Sequence, residues 1–375
     1  MKETREIIKA VSELSEGETA ILATVIDVLG SGYRLPGARM IMLESGETLG
    51  TVSGGCLESD VLERAKKVLD TGQSEVFTYD TTGDENSVFS MNMGCRGVIR
   101  ILLEPIGRDS ELITRLRRSY RNKEPQIIAT LVGTDDQGLK YIGSRVYLRS
   151  SGEIDSISLP PVLHPNTELI TALKGFSDSG KRYDFHAFQT GEGNFEFAFE
   201  RLEPPVSILL FGAGADAIPM ARIVSELGWD LTVFDHRPAY LTGERFPTSD
   251  RLVLQESDLP IKIHNTDGRC AVVIMTHNYG RDREVLPAAL TSNAFYIGAL
   301  GPRRRTEQLL EELSESGHSF SDEQLARLYA PVGLDTGADT PESIALSIAG
   351  EIQSVLADRQ GGHLRNRQKS IYDRG

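Results

Sequence analysis

The pattern of apolar and polar positions in the first third of the chain predicts a small α/β domain at residues 1–106. Apolar runs rich in β-branched residues predict strands at 20–28, 38–43, 48–52, 75–79 and 98–103. A helix is predicted at 3–16, where Gly17 ends it. A second helix begins behind Cys56, because apolar residues recur there every three or four positions: Leu57, Val61, Leu62, Ala65, Val68 and Leu69.

Residues 107–203 show a different pattern, in which short apolar runs are separated by Gly, Asp and Ser. These runs predict antiparallel strands at 127–132, 139–142, 145–148 and 195–199. The segment contains no chemical motif and no internal repeat, so we expect it to pack against one of its flanking domains. It ends at Pro204-Pro205, because proline and the residue before it disfavour both a helix and a strand ladder.

The pattern changes again at 204–358, which we predict to be a Rossmann-like domain with a doubly wound parallel sheet. The run 206–211 is apolar except for Ser207, as a strand buried on both faces requires. A glycine turn, a helical stretch ending at Gly228 and a strand at 231–235 follow it. The predicted fold class is therefore α/β, with a small N-terminal α/β domain and this C-terminal domain.

The rest of the C-terminal part continues the alternation of strands and helices. Strands are predicted at 271–275 and 294–297. Thr340 and Pro341 predict the start of a long helix that extends to about residue 358. The basic segment 359–375 is predicted to be a mobile tail.

The glycine turn predicts a phosphate-binding site. Gly212 and Gly214 present backbone N–H groups and a helix N-terminus to a phosphate, and Ala217 takes the third position of the dinucleotide fingerprint. Asp235 lies 23 positions after the first glycine, where an acidic residue binds the ribose of NAD; the alternative is a solvated acid at a strand end. One functional hypothesis is therefore an NAD(P)-dependent oxidoreductase.

Polar residues follow the later strands, at the carboxyl ends where open α/β sheets bind ligands. Thr276 and His277 come directly after the strand 271–275. His277 could bind a pterin or a phosphate, act as acid or base if the protein is an enzyme, or be a hydrogen-bonded surface residue. The run 303–305 contains three arginines at a helix start, which could bind a phosphate or form a solvated face.

Two of the three cysteines lie in glycine-flanked turns. Cys56 follows Gly54 and Gly55 at a helix entrance, where unpaired N–H groups and the helix dipole favour the reactive thiolate. Cys95, beside Arg96, is also bracketed by glycines. A buried structural cysteine is the alternative for both, but the repeated arrangement favours a functional role.

These motifs together resemble the XdhC/CoxI family of accessory proteins for molybdenum hydroxylases. The matching residues are Arg34-x-Pro-Gly-Ala38, Gly54-Gly-Cys-Leu-Glu58, Gly94-Cys-x-Gly97, Thr276-His277, Asp282 and the segment 331–337. The resemblance implies a non-catalytic chaperone that binds molybdenum cofactor (molybdopterin) and delivers it to a xanthine-dehydrogenase-type hydroxylase, its client. It also implies a cysteine desulfurase as a partner, which installs the terminal sulfur of the cofactor.

Under this resemblance, Cys56 and Cys95 are candidate molybdenum contacts, because soft thiolates suit this metal better than magnesium or calcium. We expect the two thiols to converge at the metal end of the cofactor. Arg34, Arg39 and Arg96 would then bind its anionic groups. The glycine cradle of the C-terminal domain would hold either the phosphate of the cofactor or a separate nucleotide.

Composition disfavours some binding functions and indicates the cellular compartment. The formal net charge of −14 disfavours nonspecific binding to nucleic acid or an anionic membrane. Three cysteines form no disulfide framework, and Cys270 opens an apolar run that predicts ordinary core. With no signal-peptide core or spanning run, we expect a cytoplasmic protein. A homodimer is compatible with the sequence.

Overall fold

The computed structural model describes residues 2–30, 32–80, 97–157, 159–163, 167–190, 193–255, 263 and 268–368. The chain divides into two compact units, and the division falls between Pro204 and Pro205. The predicted finer division of the first unit, at residues 106 and 107, stays a prediction. Within the described ranges, no helix combines the length and the apolar character needed to cross a membrane.

The first unit begins with a five-stranded antiparallel sheet. Its elements are α1 (Lys2–Glu13), β1 (Ala20–Gly30), β2 (Arg39–Met42), β3 (Thr48–Gly50), α2 (Glu58–Thr71), β4 (Glu75–Asp80), β5 (Gly97–Ile106) and α3 (Glu111–Asn122). The strand order is β3-β2-β1-β5-β4. The apolar stripe of α2 packs on one face of the sheet through Val61, Ala65 and Val68. Residues of α1 and α3 pack with Leu22 and Ile41. The strands and the two N-terminal helices were predicted, whereas α3 was not.

The second sheet of this unit is also antiparallel and five-stranded. Its elements are β6 (Gln126–Thr134), β7 (Arg145–Arg149), β8 (Ile154–Ile157), α4 (Thr167–Asp178), β9 (Tyr183–Thr190) and β10 (Gly193–Leu202), with 3-10 helices at Asp136–Tyr141 and Pro161–Leu163. The strand order is β8-β7-β6-β10-β9. The strand predicted at 139–142 is wrong: most of it lies in the first of these 3-10 helices, where the apolar run is too short to extend a ladder.

Ion pairs connect the two sheets of the first unit. Arg39 on β2 pairs with Glu200 on β10, and Arg145 on β7 pairs with Glu104 on β5. Arg100 on β5 adds a third pair at 2.9 Å, with Glu196 on β10. The side chain of Arg39 is only 6% exposed, so burial opposes its charge and the carboxylate of Glu200 offsets that cost.

The second unit contains a six-stranded parallel sheet with helices on both faces. Its elements are β11 (Ser207–Phe211), α5 (Ala217–Glu226), β12 (Asp230–Asp235), β13 (Arg251–Leu254), β14 (Cys270–Ile274), α6 (Tyr279–Leu290), β15 (Tyr296–Ala299), α7 (Arg303–Glu315), α8 (Asp322–Leu325), β16 (Leu328–Tyr329) and α9 (Pro341–Leu356), with 3-10 helices at Pro238–Tyr240 and Leu364–Asn366. The order β13-β12-β11-β14-β15-β16 is that of a dinucleotide-binding Rossmann sheet. The predicted fold class is confirmed.

Two apolar cores lie on opposite faces of the parallel sheet. One contains Trp229 and buried residues of α5 and α9, and the other contains buried residues of α6 and α7. Cys270 is 2% exposed, as its apolar run predicted. A capping box formed by Thr340 and Ser343 begins α9, which confirms the predicted helix start. The strand order reverses between β11 and β14, so the ligand crevice of such a sheet falls at the carboxyl ends of these two strands.

Candidate functional site

The glycine turn between β11 and α5 lies tightly against the end of β14. Gly212 has a φ of 116°, and a Cβ at this position would lie 2.2 Å from the carbonyl oxygen of Met275. Only glycine satisfies both conditions, since its φ is left-handed and a backbone atom occupies the space of a side chain. A Cβ on Gly214 would lie 2.6 Å from Asp216 Oδ1 and 3.9 Å from His277 Cδ2. The predicted residues Gly214 and His277 are therefore neighbours.

Asp235, the predicted ribose acceptor, is engaged by groups of its own domain. Its side chain is 2% exposed. Oδ2 accepts the backbone N–H of Ala213 at 2.7 Å and Nη2 of Arg237 at 2.8 Å, while Oδ1 accepts the backbone N–H and Nε of Arg237, each at 2.9 Å. Burial raises the pKa of this carboxyl, but the bonds from Arg237 and Ala213 outweigh it and lower the pKa to about 2. A ribose diol would have to displace these donors.

His277 forms a dyad with an aspartate of the glycine turn. Its Nε2 lies 2.6 Å from Oδ2 of Asp216, and its side chain is 62% exposed. The backbone of His277 is left-handed, with a φ of 54°. A non-glycine residue in this region costs about 1–3 kcal/mol, and such strain concentrates at ligand sites. The dyad therefore combines an exposed ring, a fixed orientation and a strained backbone.

The other predicted residue of this loop, Thr276, begins a second polar chain. Its hydroxyl donates to Asp282 Oδ1. Asp282 Oδ2 accepts Nη2 of Arg305 at 2.7 Å and Nε at 3.2 Å. Of the arginine run 303–305, Arg305 is thus the member that the fold directs toward the strand ends, while the other two are exposed. The family motif residue Asp282 serves to position Arg305.

A cleft of about 530 Å³ opens beside these residues, at the carboxyl ends of β15 and β16. His277 and Arg305 line it together with apolar side chains, among them Leu300 and Val332. The predicted segment 331–337 forms one wall. That wall is attached to α9, because Glu351 Oε2 accepts the backbone N–H of Gly333 at 2.9 Å. Its volume is typical of sites for small ligands. The lining is mixed, because Asp335, Thr336 and Ser347 add polar groups to it.

In the first unit, Cys56 lies in an ordered turn before α2. It is exposed and carries a free thiol. Glu58, the first residue of α2, organises the turn: its carboxylate accepts the hydroxyls of Thr51 and Ser53 and, at 2.9 Å each, the backbone N–H groups of Ser53 and Gly55. Burial raises the pKa of Glu58, but these hydrogen bonds outweigh it and lower the pKa from 4.5 to about 2. The carboxylate takes the place at the helix start that an external anion would otherwise use.

Tyr33 places the predicted Arg34 segment beside this turn. A Cβ on Gly54 would lie 2.5 Å from the ring of Tyr33, so the ring covers the glycine backbone. Arg34 itself pairs with Glu3 of α1. An anionic ligand near Cys56 would therefore compete with Glu3 for this arginine.

Arg39 is not open to a large ligand. Its guanidinium binds Glu200 through two nitrogens, with Nη1 at 3.0 Å from Oε1. The cavity beside it measures about 20 Å³, which accommodates one water but no cofactor. Arg39 thus serves the junction between the two sheets, and its predicted role in binding cofactor has no support in this geometry. Cys95 and Arg96 lie outside the described residues, so their predicted convergence with Cys56 stays a prediction.

The structure also brings forward residues to which the sequence analysis assigned no role, although Glu58 was part of a quoted motif. They are Asp216, Glu58, Arg237, Tyr240 and Arg245. The signal for Asp216 was its position within the glycine turn, and the signal for Glu58 was an acidic residue at a predicted helix start. Within the described ranges, no three or more His, Cys, Asp and Glu residues are grouped so that they could hold a metal ion.

We predict that Glu58→Gln will destabilise the first unit by about 1–3 kcal/mol at neutral pH, because a charge-assisted network loses its anion. The pKa of Glu58 is depressed in the folded state, so its stabilisation is full above pH 4.5 and disappears as the pH falls to about 2. Urea unfolding followed by circular dichroism at several pH values measures this. The difference between wild type and variant should shrink across that range.

The matched control is Glu63→Gln, which alters an exposed carboxylate of the same helix, paired with Lys66. It should change stability by less than about 0.5 kcal/mol. A Glu58→Gln variant as stable as this control at neutral pH would show that the network around Cys56 contributes nothing to the fold.

Two family models match the chain. The model of the XdhC Rossmann domain matches residues 208–352, and the model of the XdhC and CoxI family matches residues 13–80. The fold and these matches define a two-part protein with a Rossmann domain of the XdhC type.

Comparisons with individual proteins extend over almost the whole chain. The chain is 30% identical over 341 residues to a probable xanthine dehydrogenase subunit of Bacillus subtilis, covering 90% of this chain and 94% of the relative. It therefore belongs to the XdhC and CoxI family, which confirms the predicted resemblance. It is 25% identical over 346 residues to the molybdenum cofactor insertion chaperone PaoD of Escherichia coli. That alignment covers 92% of this chain and 86% of PaoD. A crystal structure described as a xanthine dehydrogenase from Bacillus halodurans aligns with a TM-score of 0.74 at 25% identity. The alignment covers 97% of this chain and 98% of the crystallised chain.

Proposed function

We propose that this protein binds molybdenum cofactor as cargo and delivers it to a xanthine-dehydrogenase-type molybdenum hydroxylase. The observation that carries the proposal is the match to the chaperone PaoD along almost the whole chain. The cleft beside His277 and Arg305 supports it, because it offers the size and the cationic group that a phosphorylated heterocycle needs.

Each unit has its own candidate contact. In the second unit, Arg305 would bind the phosphate and the His277–Asp216 dyad would hydrogen-bond the pterin. In the first unit, the exposed thiol of Cys56 is an independent candidate for binding molybdenum, since a soft metal favours a soft ligand. A cysteine desulfurase as a second partner, a homodimer and sulfuration on this protein belong to the same proposal.

The test is the molybdenum and pterin content of the purified chain after anaerobic incubation with cofactor. We predict stoichiometric binding by the wild type and a loss of about tenfold or more in affinity for His277→Ala, because a polar contact to a bound ligand is worth about 1–3 kcal/mol. Cys56→Ala and Cys95→Ala test the thiols in the same way. His318→Ala is the matched control, since this residue lies outside the cleft lining.

Delivery is measured separately, as activity gained by an apo molybdenum hydroxylase when loaded protein is added. Transfer faster than from free cofactor is expected for a delivery protein. Stoichiometric binding without any transfer would limit the role to storage. No binding of cofactor by the wild type would contradict the proposal.

A further inference from the structure

The wall of the cleft formed by residues 331–337 is hydrogen-bonded to α9 at two successive residues. Gly333 donates its backbone N–H to Glu351, as described above, and the same carboxylate oxygen accepts the hydroxyl of Tyr296 on β15 at 2.6 Å. The carbonyl oxygen of Leu334 accepts the hydroxyl of Ser347, and the N–H of Leu334 donates to the carbonyl oxygen of Ser347 at 3.3 Å. The backbone of the wall is therefore fixed relative to α9.

The side chain of Leu334 packs against two glycines. A Cβ on Gly350 of α9 would lie 3.1 Å from Leu334 Cδ1, and a Cβ on Gly361 would lie 2.7 Å from Leu334 Cδ2. The leucine can approach both positions this closely because neither residue has a side chain. Leu334 also lines the cleft, so a displacement away from the two glycines moves it into the space of a ligand.

Gly361 belongs to the C-terminal segment 359–362, which turns back along α9. Asp358 follows the helix with a left-handed φ of 52°, as residues that end helices commonly do. Arg359 then donates its backbone N–H to the carbonyl oxygen of Ser354 at 2.8 Å. A Cβ on Gly361 would lie 3.2 Å from Ser354 Oγ. The segment thus lies beside the last turns of α9, next to the cleft wall.

The position of Leu334 matters for a ligand because the apolar part of the cleft is small. Leu300, Val332 and Leu334 provide apolar side chains that can cover a flat ring system. A gap of about 0.5–1 Å already loses a quarter to a half of the attraction between two atoms in contact. Small displacements of Leu334 therefore change how closely a ring can pack in the cleft.

We infer that the C-terminal segment 359–362 is a positioning element of the ligand cleft: it holds Leu334 against α9 and thereby sets the width of the cleft. This inference rests on the proposed function, in which the ligand is molybdenum cofactor. Leu334 then determines how closely the ring system of the cofactor fits, while Arg305 and His277 provide polar contacts. The segment lies outside the cleft lining and acts through Leu334.

Gly350→Ala and Gly361→Ala test the inference on the full chain. Each adds a methyl group that displaces Leu334 toward the cleft, so the dissociation constant for molybdenum cofactor should rise about threefold and about tenfold, respectively. Anaerobic ultrafiltration with pterin detection measures it. Gly350→Ala should not lower the melting temperature, because alanine favours a helix more than glycine does. Gly362→Ala is the matched control and should leave the affinity unchanged, since a Cβ there would meet nothing within 4 Å.

A double variant separates this effect from a general loss of structure. Leu334→Ala removes the side chain that both methyl groups displace. Leu334→Ala/Gly361→Ala should therefore bind the cofactor as well as Leu334→Ala alone. If the loss caused by Gly361→Ala persists undiminished without the leucine, the inference is overturned.

A second measurement needs no ligand. In a chain that ends after residue 359, the backbone amides of 331–337 should exchange hydrogen for deuterium at least about tenfold faster than in the wild type, because the wall has lost one support. A chain that ends after residue 368 keeps the segment and should match the wild type. Equal exchange in the two shortened chains, or unchanged cofactor affinity in both glycine variants, would overturn the inference. Failure of the wild type to bind cofactor would overturn the proposed function instead, and the exchange measurement would still decide the role of the segment.

Discussion

Replacing Gly212 by alanine is expected to destabilise the Rossmann domain by at least about 3 kcal/mol. A left-handed φ of 116° disfavours any side chain, and the added Cβ would lie 2.2 Å from the carbonyl oxygen of Met275. Either the turn or β14 must move, and both form the ligand crevice. Urea unfolding followed by tryptophan fluorescence reports this domain alone, because Trp229 is the only tryptophan of the chain and is buried in its core.

Gly243→Ala is the matched control, because a Cβ at this position would meet nothing within 4 Å and its φ is not left-handed. It should change stability by less than about 0.5 kcal/mol. Equal stability of the two variants would contradict the packing argument for Gly212.

The second large effect is expected at the junction of the two antiparallel sheets. Glu200→Gln should cost about 3–5 kcal/mol, because it leaves the buried guanidinium of Arg39 without its counter-ion. The double variant Arg39→Met/Glu200→Gln should recover at least half of this loss, since the charge that needs a partner is gone. Thermal unfolding is followed by circular dichroism, which reports both units, and by tryptophan fluorescence, which reports only the second. The transition seen by circular dichroism but not by fluorescence belongs to the first unit.

Glu13→Gln provides the control, since it alters an exposed pair with Lys9 and should have almost no effect. The same variants distinguish the two roles of Arg39. A stable Arg39→Met variant that no longer bound molybdenum cofactor would restore the predicted ligand role and contradict the structural one.

The Rossmann domain was predictable because its signals are local. An apolar run, a glycine turn, a helix and an acidic strand end follow one another within 30 residues, and this order fixes where the phosphate-binding turn lies. The amphipathic helices α3 and α4 were missed, although their buried faces contain regularly spaced leucines. The short run 139–142 was misassigned, because β-propensity over four residues does not distinguish a strand from a helical turn.

The candidate site was predicted only in part, and the reason is the sequence distance between partners. His277 and Gly214 were named separately, but their proximity depends on the parallel pairing of β11 with β14. Arg39 was predicted to bind the cofactor, and its pairing with Glu200 could not be predicted because the two residues lie 161 positions apart. Asp235 matched a fingerprint position, yet Arg237, two residues later, occupies both of its oxygens. A spacing motif predicts the position of a carboxylate, but it does not predict which donors of the same chain are hydrogen-bonded to that carboxylate.

The pairing of Arg39 with Glu200 also has a consequence for synthesis of the chain. At about 5–20 residues per second, a ribosome completes Glu200 on the order of 10–30 s after Arg39. The first sheet is translated by then, but the guanidinium of Arg39 can pair with Glu200 only after β10 has been made. The apolar cluster of Ile26, Leu102 and Val132 also lacks Ala198 of β10 during that interval, so part of it is exposed to solvent or to a folding factor. Synthesis of the last strand therefore ends the period in which this surface can aggregate.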